Sequence, residues 1–139
     1  MSANRTDTEI KMRFNGLNLK DGTKYVTLSA EPETWHDILE IVKSYSHIGP
    51  ELRSYTTVFP EQAKTARDAL QALVTKNQSQ FVTSHDTFNT IQILVNAYHD
   101  FGYGGLRKLT QKPANIDEER YDNLATKCKE TAEQIKAAL

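Results

Sequence analysis

The segment from Phe101 to Lys108 gathers the residue types best suited to holding an anion. Gly102, Gly104 and Gly105 free the backbone to turn successive N–H groups toward a ligand. Tyr103 offers a ring for stacking. Arg107 brings a planar fork for paired hydrogen bonds to phosphate, and Lys108 a point charge. The same glycines also make an ordinary helix stop. The segment follows a helix signal, whereas the familiar phosphate cradles join a strand to a helix, and neither GxxxxGK[ST] nor GxGxxG occurs. Gly102, Tyr103, Gly104, Gly105, Arg107 and Lys108 form the expected ligand-binding set.

Histidines are the next group with chemistry. His36, His85 and His99 each precede an aspartate, Asp37, Asp86 and Asp100. A carboxylate can orient an imidazole for acid–base work or metal binding. Neighbours on a helix, however, point about a hundred degrees apart, so no Asp is expected to hold the His beside it. His85, in the first turn of an apolar helix, is the one catalytic candidate, with Ser84 beside it as a conceivable nucleophile. No Gly-x-Ser-x-Gly elbow supports that pair. There is no HExxH and no carboxylate cluster at ligand spacing, so neither a metal nor another cofactor is expected. Cys128 is the sole cysteine, which excludes an intrachain disulfide, and it falls on an apolar helix seam where thiols are inert.

A second basic surface is carried by Lys11 and Arg13, joined by Lys20 and Lys24, with Tyr25 nearby. Cations and a ring on a sheet can bind single-stranded nucleic acid. The plainer reading is that such cations keep strand edges from aggregating.

These residues need a scaffold. The chain has 139 residues, 38 % hydrophobic and 25 % charged, which is enough for one domain with a core of its own. Its formal charge of −1 lacks the basic footprint of a duplex-DNA binder. No apolar run approaches the ~20 residues that cross a bilayer. A single cysteine and a polar start suit a cytoplasmic protein without a secretory signal. Residues 1–8 read as a disordered tail, and 9–139 as one α+β domain, with a mixed α/β arrangement as the variant.

Ile10, Met12 and Phe14 alternate with Glu9, Lys11 and Arg13, the period of a half-buried strand. A bulge at Asn15-Gly16 and a turn at Asp21-Gly22 predict a hairpin returning through Lys24 to Ala30. Pro32 opens a helix carrying Trp35, Ile38, Leu39, Val42 and Tyr45 on one face. Tyr55–Phe59 reads as a short strand. Pro60-Glu61 opens a second helix with Ala63, Ala66, Leu70, Leu73 and Val74 inward. Gln80–Thr83 is a further short strand, and Thr83 with Asp86 matches a capping box for a third helix reaching Phe101.

That third helix has no formal charge between Thr87 and Tyr98 and is apolar nearly all round, as for a central helix or a subunit contact. The long fourth helix spans 116–139, with a narrow seam of Tyr121, Leu124, Cys128, Thr131, Ile135 and Ala138 that needs a surface to lie on. Together these features predict a non-enzymatic, self-associating protein that captures a nucleotide or phosphate-bearing metabolite. The alternatives are a protein-interaction factor, an adaptor or inhibitor without a small ligand, and a small hydrolase or transferase using His85.

Overall fold

The structure is a computed structural model and describes residues 10–44, 56–100 and 118–139. Among these residues it is an α+β fold: a three-stranded antiparallel sheet with four helices, the last of them long. Strands β1 (Arg13–Lys20) and β2 (Thr23–Ser29) form the expected hairpin. Asp21 and Gly22 both take positive φ, 53° and 78°, as a tight two-residue hairpin turn demands. The register slips between Phe14 and Gly16, so the bulge stands where Asn15-Gly16 predicts it. Its effect is specific. Phe14 and Leu17 are an odd number of residues apart, and only the extra bulge residue lets them pair with Leu28 and Val26 on one face.

Strand β3 (Gln80–Ser84) joins the other side of β2, giving the order β1-β2-β3. It is the one further strand among the described residues. Within the expected Tyr55–Phe59 strand, residues 56–59 instead form bends and the lead into a helix. The Thr56 hydroxyl accepts the Val58 N–H at 3.0 Å, a local turn that replaces strand pairing. Tyr55 lies outside the described residues.

Helices α1 (Pro32–Lys43) and α2 (Pro60–Thr75) both start with proline at the position where its missing N–H costs nothing. Gln62 accepts the Phe59 N–H at 2.8 Å and closes the start of α2. At its far end Asn77 adopts φ 51°, with Asn77 N–H bonded to Val74 O and Gln78 N–H to Leu73 O. This paired-bond, left-handed stop turns the chain toward β3. Ser79 O then accepts both the Ala30 N–H and the Trp35 indole N–H, at 3.0 and 2.8 Å, tying the start of β3 to α1. Trp35 and Phe81 meet edge to face, their ring centroids 5.2 Å apart.

Helix α3 (His85–Asp100) is capped one residue later than the capping-box pattern implies. Ser84 Oγ, not Thr83, accepts the Thr87 N–H at 3.1 Å, because the Thr83 side chain is buried on the inner face of β3. α3 is the central helix: it packs against α1, α2, β2 and β3 and against α4 (Glu118–Ala138). Phe88, Ile91, Leu94 and Val95 are all but inaccessible to solvent, each contributing roughly 1.5–3 kcal/mol by burial. The α4 seam is equally covered. Tyr121, Leu124, Cys128, Thr131 and Ile135 are buried against α3 and β1, and of the expected seam only Ala138 is exposed. The α4 seam and the buried side of α3 thus meet inside one chain. No helix of the described residues is long and apolar enough to cross a membrane.

Candidate functional site

The six expected ligand-binding residues, Gly102, Tyr103, Gly104, Gly105, Arg107 and Lys108, the tail 1–8 and the side chain of His99 lie outside the described residues. The described part has its own candidate, a groove of about 750 Å³ between α3 and α4. Two polar stripes border it. His85, Asn89 and Gln92 recur along α3 at steps of four and three, and Lys129, Glu133 and Lys136 do the same along α4. That spacing puts each set on one helix face. Between the stripes Phe88, Ala132 and Ile135 supply an apolar floor. Glu133 is the single acid among the lining residues. Neither Lys129 nor Lys136 has an ion-pair partner among the described residues, whereas nearby Lys127 is paired with Glu130 at 3.7 Å.

The catalytic candidates fare differently. His85 is half-buried on the groove wall and has no hydrogen-bond partner among the described residues. Ser84 Oγ is occupied at the helix start, accepting from Thr87 N–H and donating to Thr87 Oγ1 at 2.9 Å. No nucleophile–base pair is formed there. Cys128 is fully buried, and desolvation pushes its thiol up to about 12 from 9.0, so the reactive thiolate is suppressed. His36 and Asp37 come closer than helical geometry led us to expect, Nδ1 to Oδ1 being 3.6 Å, still too long for a hydrogen bond. Asp37 is a buried carboxylate, and it is engaged by the Nε of Arg120 on α4. Among the described residues, no group of three His, Cys, Asp or Glu side chains converges as a metal site.

The basic surface at Lys11 and Arg13 divides by register. Arg13 pairs with Ser29, Asn18 with Tyr25 and Lys20 with Thr23, so these residues share the outer face of the sheet. Lys24 pairs with Leu19 and belongs to the inner face, separated from Tyr25 by the strand pleat. Sequence reasoning singled out His85 but missed the rest of the groove. The polar stripe of α3 was legible as a break in an apolar helix; that Lys129 and Lys136 lie alongside it was not. No family model, curated protein or solved structure matches this chain.

Proposed function

We propose that the chain is a non-enzymatic binding protein whose α3–α4 groove captures a small anion with an apolar part, a phosphate-bearing metabolite or nucleotide. One observation carries this reading: two lysines without an ion-pair partner among the described residues, together with His85, border a groove floored by Phe88, Ala132 and Ile135, with one acidic side chain in its lining. Lysines in such a place act as point charges for phosphate, while the floor takes the apolar part out of water. The Gly102–Lys108 segment keeps the residue types for a second anion contact, and Arg107→Ala tests it separately. The hydrolase alternative has less support, since the Ser84 hydroxyl is engaged by Thr87 at the helix start.

The test is a thermal-shift screen of nucleotides, sugar phosphates and inorganic phosphate. A ligand at a hundredfold excess over its dissociation constant adds roughly 2.7 kcal/mol of stability. Paired Lys129→Ala and Lys136→Ala substitutions should remove the shift without lowering the melting point of the free protein, because both side chains are exposed. A shift that survives both substitutions and vanishes in Arg107→Ala moves the site to the glycine-rich segment. Self-association is a separate matter: the α4 seam is buried inside the chain except for Ala138, while α3 keeps one side open along the groove. Light scattering decides it against the 15.8 kDa chain mass.

A further inference from the structure

We infer that the outer face of the sheet is a binding surface for single-stranded nucleic acid, distinct from the groove. The helices cover only the inner face, where Val26, Leu28 and Phe81 are buried. On the outer face the middle strand carries Tyr25, Thr27 and Ser29, each half-buried and flanked by a strand on either side. Val82, across from Thr27, is 58 % exposed. Among the described residues no helix packs there.

Charge identifies the occupant. The three strands contain no aspartate or glutamate, in a chain with 18 acidic side chains. Arg13 and Lys20 stand on the outer face at the two ends of β1, roughly 20 Å apart at ordinary strand rise. Lys11 precedes them and is exposed between buried Ile10 and Met12. None of these cations has an ion-pair partner among the described residues. The acids nearest these cations along the chain are Asp21, in the hairpin turn next to Lys20, and Glu9, two residues before Lys11 and outside the described residues. Tyr25 lies on the middle strand between Asn18 and Ser84, where a ring can stack an unpaired base while the flanking cations follow the phosphates. A duplex keeps its bases stacked inside and offers nothing to that ring. Edge protection alone explains cations on β1; it does not explain an acid-free face with an aromatic at its middle.

The experiment is fluorescence anisotropy with labelled oligo(dT) and oligo(U) of about fifteen nucleotides, against a duplex of equal length. The single strands should bind more tightly than the duplex, and less tightly as salt rises. Arg13→Ala with Lys20→Ala should weaken binding and flatten the salt dependence. Tyr25→Leu should cost at least about fivefold while Tyr25→Phe costs little, because the ring does the stacking. Val82→Glu keeps the test decisive if Tyr25→Leu fails to fold: it places a carboxylate at an exposed position, repels phosphate and should abolish binding with the melting point retained. Lys129→Ala with Lys136→Ala should leave this binding unchanged, which separates it from the groove. The inference is overturned by absence of single-strand binding at low salt, or by equal binding in Val82→Glu and the Arg13, Lys20 double variant. Binding lost only with the groove lysines overturns it as well.

Discussion

Cys128 shows how position decides the behaviour of a side chain. The same thiol in an exposed loop would ionise near its ordinary value; on the buried face of α4 it is held up to about 12 by desolvation alone. Its folded value lies above its unfolded one, so the folded state binds the extra proton. That contribution to stability is complete below pH 9.0 and is lost as pH climbs from there toward about 12. We expect the native thiol to resist a thiol-reactive dye at pH 8 and to react once urea unfolds the chain. Urea midpoints measured between pH 8 and 11 should fall, and Cys128→Ala should lessen that fall. Rapid labelling of the native protein would show that α4 opens locally at this turn.

Between elements, one ion pair stands out. Asp37 and Arg120 are 83 residues apart in sequence, yet their side chains meet where α1 passes the first turn of α4. Both are buried, so each alone would be an uncompensated charge in the interior. Asp37→Asn or Arg120→Met alone should therefore cost about 3–5 kcal/mol in urea unfolding. Removing both, as Asp37→Leu with Arg120→Met, should cost much less than the sum. Additive losses would mean that the pair contributes no coupling and that packing alone docks α4.

At the scale of the whole molecule, the two helices that looked ready for a partner turn out to be partners of each other. α3 supplies the surface that the narrow α4 seam lacks, and α4 covers part of the apolar surplus of α3. Leu124, fully buried in this contact, discriminates between docking inside one chain and contact between copies. Leu124→Asp should unfold the protein, with a loss on the order of 4 kcal/mol, seen as collapse of the circular-dichroism melting transition. Folded subunits of lower mass after this substitution would instead place the seam between chains.

Whatever depends on near neighbours was readable in the sequence. Asn15-Gly16 marked the bulge of β1 and Asp21-Gly22 its turn, whereas the period-two run Glu9–Phe14 foretold the burial of Ile10 and Met12 but not the strand, which begins only at Arg13. Pro32 and Pro60 marked two helix starts, and helical spacing marked most of the inward residues of α1, α2 and α4 among the described residues, Ala138 excepted. These signals are local because backbone sterics and hydrogen bonding act within a turn or a hairpin. Where local signals competed, as at Thr56 and at Thr83 against Ser84, hydroxyl-to-backbone bonds decided the outcome. Of the sites, His85 and the cations of β1 could be singled out from residue type alone. That Lys129 and Lys136 lie beside His85, that Lys24 parts company with Tyr25, and that Arg120 finds Asp37 came only with the tertiary structure. The reason is physical: periodicity says which face of an element is apolar, but which other face covers it depends on how all the side-chain volumes pack together.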